Sequence, residues 1–235
     1  TTEDDIQLPN SGFEDWYTDS DGLPKPAKDA SSSFWDCGNV NYFGKHIMTT
    51  QDDETALGQG SSVKMETQET MKIIAAGNIF TGTFERDGMG GILTLGRNFE
   101  CRPNKLKGYY KYTSAKVSVS KGHLNEGEDD LCSLYIALTD EQITVNTNKG
   151  IYFDPNSSAV IAYGSISDEE SKGADSFKEF TVDLEYKDLK RIPKYIIVVA
   201  SSSKYGDYME GGKGSTMWLD DLELVYPKSM EEVRK

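Results

Sequence analysis

Leu131-Cys132-Ser133-Leu134-Tyr135-Ile136-Ala137-Leu138 decides the fold of this chain. Cys132, Leu134, Ile136 and Leu138 fall on one face of an extended segment and Ser133, Tyr135 and Ala137 on the other, a period of two that predicts a strand with a core beneath the first set. Further along, Tyr195-Ile-Ile-Val-Val-Ala200 is apolar on both faces, so it predicts a central strand covered on each side. Ser62 to Thr67 turns Val63, Met65 and Thr67 inward, and Gly91 to Leu95 reads as another short strand. Phe177 to Leu184 alternates Lys178, Phe180, Val182 and Leu184 against Phe177, Glu179 and Thr181, and is expected to support the central strand that follows it. Clusters of Gly, Asn, Asp and Ser separate these segments. The pattern is that of an all-β sandwich of two antiparallel sheets with few or no helices.

The chain has 235 residues, enough for one large sandwich, and the expected layout is a single domain over 8–226 between an N-terminal extension (1–7) and a C-terminal tail (227–235) that frays or forms a short helix. A formal net charge of −14 argues against nucleic acid and anionic membrane surfaces as partners. No apolar run approaches the ~20 residues needed to cross a bilayer as a helix. The opening Thr-Thr-Glu-Asp-Asp has neither the basic end nor the apolar stretch of a signal peptide, so any export signal is expected to have been removed already. Cys37, Cys101 and Cys132 allow at most one disulfide and lack zinc-site spacing. His46 and His123 offer little material for a zinc site or a Ser-His-Asp triad.

The turns are equally readable. Asp19-Ser-Asp-Gly-Leu-Pro-Lys-Pro26 predicts a surface excursion, since Asp-Gly favours a turn and residues before proline leave helical space. Asp19 and Asp21 imitate a calcium loop but lack its closing glutamate. Asn125–Asp130 and Asp168–Gly173 read as acidic loop tips. Gly211-Gly-Lys-Gly-Ser-Thr216 lacks the spacing of a phosphate loop and leads into a strand, so it is a hairpin turn.

Several blocks occur here in a fixed order: Trp35-Asp-Cys-Gly-Asn39, Arg102-Pro-Asn-Lys-Leu-Lys-Gly-Tyr-Tyr-Lys-Tyr112, Ile161-Ala-Tyr-Gly164, Ala200-Ser-Ser-Ser-Lys-Tyr-Gly-Asp-Tyr208 and Gly211-Gly-Lys-Gly-Ser215. Together they resemble the putative carbohydrate metabolism domain of Bacteroidetes, over about Leu8 to Tyr226. The resemblance implies a jelly-roll sandwich shaped like carbohydrate-binding modules, in exported periplasmic or outer-membrane-surface proteins. There it often follows an immunoglobulin-like domain, and a lipid anchor on the removed N-terminal segment fits that setting. Asn10-Ser-Gly-Phe-Glu-Asp-Trp16 and Trp218-Leu-Asp-Asp-Leu-Glu-Leu224 resemble the beginnings and ends of such jelly rolls, whose terminal strands lie side by side.

Sugar rings present apolar faces to aromatics and hydroxyl rims to amides, guanidinium groups and carboxylates. The candidate ligand-binding set is therefore Trp35 with Asn39 and Tyr42, Arg102 with Tyr109, Tyr110 and Tyr112, and Tyr205 beside Asp207. Tyr110 and Tyr112 share one strand face and Tyr109 the other, so at most one set lines a shared groove. Arg97 is expected to pair structurally with one of the surplus carboxylates. A glycosidase needs two facing carboxyls, and Glu85, Glu100, Asp130 and Asp207, which flank strands, are the candidates. Asp130 shares the phase of Cys132 and Leu134 and should point inward, where burial would raise its pKa. Alternation through Trp218–Tyr226 puts Asp220 on the face of Trp218, Leu222 and Leu224. An inward charge is costly unless paired or metal-bound, so Asp220 with Glu14 is the expected site of a structural Ca²⁺, the alternative being that Asp220 bonds backbone amides or a lysine. The favoured function is a non-catalytic glycan-binding module of an exported bacterial protein. A glycoside hydrolase with a carboxylate pair and a structural or adhesive surface protein packing on its neighbours are the alternatives.

Overall fold

The period-two segments assemble into two antiparallel sheets in a computed structural model that describes residues 6–229. In the larger sheet the central path runs Ile143–Asn146, Gly90–Leu95, Asn78–Asp87, Tyr195–Ser201, Ser133–Thr139, Val160–Ser165 and Glu185–Tyr186. Trp35–Asp36 and Arg97–Asn98 add short pairings to it. The smaller sheet runs Ala174–Asp183, Lys105–Thr113, Thr216–Val225, Ser62–Glu66 and Thr49–Asp52. The chain is a jelly-roll β-sandwich. Residues 1–5 and 230–235, parts of the expected extension and tail, lie outside the described residues.

Cys132, Leu134, Ile136 and Leu138 are fully buried between the sheets, with Ile196, Val198 and Ala200 beside them and Val63, Met65, Leu106, Phe180 and Leu219 opposite. Phe177–Leu184 does turn Phe180 and Val182 inward, but it belongs to the edge of the smaller sheet and pairs with Lys105–Thr113, not with the central strand. Tyr195–Ser201 is central, and its far face carries Ile197 and Val199 into a second apolar cluster with Phe80, Leu93, Leu95 and Val145. What covers that second face is a groove wall, described below. The Asp168–Ser171 stretch, expected as a loop tip, winds into one helical turn because Ser167 and Glu170 form a reciprocal capping box.

The last strand departs from simple alternation. Lys107 pairs with Glu223, but Tyr109 pairs with Asp220, so the Thr216–Val225 strand carries an extra residue at this point. Asp221 sits there at φ 48°, in the left-handed region. The bulge flips the phase. Met217 and Leu219 face the core before it and Leu222 and Leu224 after it, so Trp218 and Asp220 lie on the outer face of the sheet, not with Leu222. The N-terminal segment docks on this strand as the ends of the chain suggested: Leu222 N donates to Ser11 O, and the Gln7 side chain bonds both Leu224 O and Leu224 N.

Candidate functional site

A cavity of about 470 Å³ opens on the outer face of the larger sheet. Its floor follows from the second apolar face of the central strands: Phe84, Leu93, Leu95, Val145, Val199 and Tyr135. Two hairpins wall it in, Val40–Asn41 with Lys45–His46 and Gln68–Thr70 with Ile73–Ala75. Tyr42 and Phe43 stand at the tip of the first, and Arg86 stacks its guanidinium 4.1 Å from the Tyr42 ring centroid. The third wall is the turn Lys204–Met209, which brings Asp207 to the cavity.

That turn is held from outside. Glu210 is fully buried and accepts from His123 Nδ1 at 2.7 Å and from Leu124 N at 2.9 Å. An aromatic ladder continues from it: His123 stacks on Tyr205 at 4.3 Å and 15°, leans on Tyr208 at 4.3 Å, and Tyr208 stacks on Tyr152 at 3.9 Å. On the sheet itself Tyr135 stacks on Phe153 at 4.8 Å, with Tyr163 6.0 Å from both.

Among the described residues that line the cavity, Asp207 is the one acid. Burial pushes its carboxyl up to about 6, and no donor among the described residues bonds it. The same enclosure, with the Asp207 charge added, holds the Tyr135 hydroxyl well above its ordinary range.

The other expected residues are dispersed. Trp35, Tyr110, Tyr112 and Asn39 are buried and not platforms for a ligand, because each already serves the interior. Trp35 donates to Pro9 O, Tyr110 to Glu170 O and Tyr112 to Ser202 O. Asn39 accepts from Met48 N and Thr49 N and donates to Thr49 O. Tyr109 lies on the outer face of the smaller sheet opposite Asp220. Arg102 donates to Arg191 O and does not line the cavity. Arg97 is structural, but among the described residues it bonds the backbone carbonyls Phe34 O and Gly82 O and not the carboxylate expected of it, because the Trp35–Asp36 and Asn78–Asp87 strands bring those carbonyls to it. Tyr205 stands in the ladder that flanks Asp207.

Of the carboxylate candidates, Glu85 and Glu100 are exposed and outside the cavity. Asp130 points inward as its phase implied, but as a structural hub: Ser203 Oγ, Gly212 N and Ser215 Oγ all donate to its Oδ2 at 2.7–2.9 Å, and Leu131 N donates to Oδ1. Burial raises its pKa, and these four bonds oppose the rise. Among the described residues no carboxylate pair lines the groove.

Near the N-terminus, Glu14 Oε2 accepts from Ser61 N at 2.8 Å. Asp220 is on the outer face, its two oxygens accepting from Ala56 N and Asp221 N. A Cβ placed on Gly12 would sit 3.4 Å from both Glu14 Oε1 and Asp221 Oδ1, so the carboxylate that faces Glu14 across Gly12 is Asp221. Burial lifts Asp220 to about 6, with Asp221 and Glu14 adding charge repulsion, and burial and Glu14 lift Asp221. Among the described residues no three acidic, histidine or cysteine side chains converge on a common metal position.

Sequence reasoning passed over Phe43, Met71, Met89, Arg86 and Tyr135 as groove residues. The one available signal was an apolar residue at a turn, as in Phe43-Gly44 and Met71-Lys72, where polar residues are the rule.

The fold and this cleft define a jelly-roll domain with a groove on the outer face of its larger sheet. The chain belongs to the family described as Putative carbohydrate metabolism domain, whose model matches residues 10–225. A crystal structure described as a putative glycoside hydrolase from Bacteroides thetaiotaomicron is 26% identical, with a TM-score of 0.62, over 78% of this chain. This chain spans 58% of that protein's length. A second, described as a putative glycoside hydrolase from Bacteroides vulgatus, is 21% identical with a TM-score of 0.63 and covers 95% of each chain. A family 11 carbohydrate-binding module from Clostridium thermocellum aligns at 9% identity and a TM-score of 0.36, over 82% of this chain and 88% of its own. Comparison with curated proteins finds no match.

Proposed function

We propose that this domain is a non-catalytic module that binds a glycan in the groove on its larger sheet. The observation that carries the reading is a preformed concave cavity, apolar over most of its lining and edged by Tyr42, Arg86 and a single carboxylate, Asp207. The family, a carbohydrate-related one, supports it. One acid without a partner carboxylate does not supply the two groups of the usual glycosidase mechanism. An exported, periplasmic or outer-surface placement goes with this reading, since polysaccharide is met outside the cell. A structural Ca²⁺ between Glu14 and Asp221, with Asp220 close by, is its proposed accessory, because the mutual repulsion of these carboxylates is relieved by a hard cation.

The test is binding of the purified domain to a glycan array with and without chelator. Saturable binding to a defined glycan, lost when Tyr42 is replaced by Ala, supports the module; silence across the array sinks it. Glycoside hydrolysis is the second reading, favoured by the raised carboxyl of Asp207, which suits a general acid. Release of reducing ends from a bound polysaccharide, abolished in Asp207→Asn, would replace binding by catalysis.

A further inference from the structure

The groove is lined for more than a bare sugar ring. Four of the chain's seven methionines line it: Met48, Met71, Met89 and Met209. Phe43 is 95% exposed, Met71 91% and Met89 59%, so three of the seven large exposed apolar side chains among the described residues ring this one cavity. Phe43 and Met71 are moreover held out on left-handed backbone, at φ 53° and 52°. That conformation is strained for a non-glycine residue and tends to persist where function uses it. Inside the chain Phe43 meets the Tyr42 ring edge-on at 4.6 Å and little else. A flat sugar face is met best by flat aromatics, whereas flexible thioethers fit small, irregular apolar substituents.

The polar side of the groove is as specific. Asp207, half-buried at the cavity, presents a carboxylate with no donor from the described residues, so its acceptor positions are left for a ligand. A ligand that fits brings an N–H or O–H to Asp207 and an apolar group to the methionines, of which Met209 stands two residues from Asp207 on the same turn. An O-acetyl ester carries the methyl without a donor, and a free amine carries the donor without a methyl. An acetamido group carries both. Lys204, exposed on the same turn, offers a donor for its carbonyl oxygen.

We propose that the unit recognised in this groove is an N-acetylated amino sugar, its amide N–H donating to Asp207 and its methyl packing among Met71, Met89 and Met209. This rests on the glycan-binding reading above. The experiment is an NMR titration of the domain labelled with ¹³C-methyl methionine. Its first probes are triacetylchitotriose, the deacetylated chitosan trimer and cellotriose, which share a β-1,4 pyranose backbone and differ at the 2-substituent. N-acetylgalactosamine and N-acetylmannosamine follow, against galactose and mannose. At least one acetamido sugar is expected to bind tenfold or more tightly than its unacetylated counterpart and to move the Met71, Met89 and Met209 methyl signals. Asp207→Ala is expected to lose that preference tenfold while its methyl spectrum remains that of a folded protein. Equal binding of acetylated and plain sugars, binding that leaves the methionine methyls unmoved, or failure of every acetamido probe overturns the assignment. Unsubstituted soluble polysaccharides are titrated in parallel. If they bind and the acetamido sugars do not, the glycan-binding reading stands and this inference falls; if nothing binds, both fall.

Discussion

At the residue scale, two carboxylates with opposite surroundings, Asp130 buried and Asp207 half-buried, define what the turns of this sandwich are for. Asp130 is enclosed by four donors and ties the Gly211–Ser215 turn to the start of the Ser133–Thr139 strand. Removing it strands the Gly212 and Leu131 amides, so Asp130→Ala should cost about 3 kcal/mol in urea unfolding with an unchanged m-value. A loss under half that size would mean the hub is replaceable by water. Asp207 is enclosed without donors, and its carboxyl is lifted from 3.8 to about 6. Its pKa is higher folded than unfolded, so the folded state binds the proton more tightly; the native domain therefore loses stability as pH rises from about 4 to 6.5 and keeps that loss above. Asp207→Asn is neutral throughout. The variant should match wild type near pH 4 and gain steadily up to pH 7, by at most about 3 kcal/mol for a shift near two units. The Tyr135 and Tyr208 phenols, which share this corner, stay protonated across that window because their own pKa values are raised. A stability difference that is flat with pH would show that Asp207 is solvated in solution.

Elements explain why some of this was legible and some was not. Period-two alternation in Leu131–Leu138 and Phe177–Leu184 identified both core faces, because burial on one side of a strand writes itself into every second residue. The same logic over-reached at Tyr195–Ala200, where the second apolar face is partly the floor of the groove, and a groove and a core ask for the same residues. Alternation failed outright in Trp218–Tyr226, since a one-residue bulge at Asp221 reverses the phase and no composition rule announces it. Trp35, Tyr110 and Tyr112 were plausible platforms until placement showed their polar tips spent on backbone carbonyls. The groove itself is made by two hairpins whose exposed tips are invisible to periodicity. Phe43→Ser tests what such a tip is for. With the ring 95% exposed, stability should change by less than about 0.5 kcal/mol, while glycan affinity falls severalfold; unchanged affinity would leave the tip outside the site. At the bulge, Asp221→Gly removes left-handed strain and should gain up to about 1 kcal/mol when measured in chelator.

At the scale of the whole molecule, the segment around Gln7–Glu14 meets the Thr216–Val225 strand, and their meeting is where a cation would act. Ser11 O accepts from Leu222 N, and Glu14 faces Asp221 across Gly12, so the carboxylates sit on the seam that closes the sandwich. Opening the domain separates them. A Ca²⁺ ion held there binds the folded chain and not the unfolded one, and at a hundredfold excess over its Kd it would add about 2.7 kcal/mol. For a domain of this size that is a rise in Tm of roughly 5–10 °C. Melting in calcium against melting in chelator reads it directly, with Mg²⁺ expected to do less because its stricter octahedral demand is met less readily by protein carboxylates on this seam. Glu14→Gln should abolish the calcium-dependent rise and leave the chelator baseline equal or higher, since one of three repelling charges has gone. Identical melting in calcium and chelator would leave the seam closed by hydrogen bonds alone, with Gln7 and Ser11 as its fastenings. The groove on the opposite sheet face is built from other strands, so its ligand should bind with the same affinity in both buffers even where the melting temperatures differ.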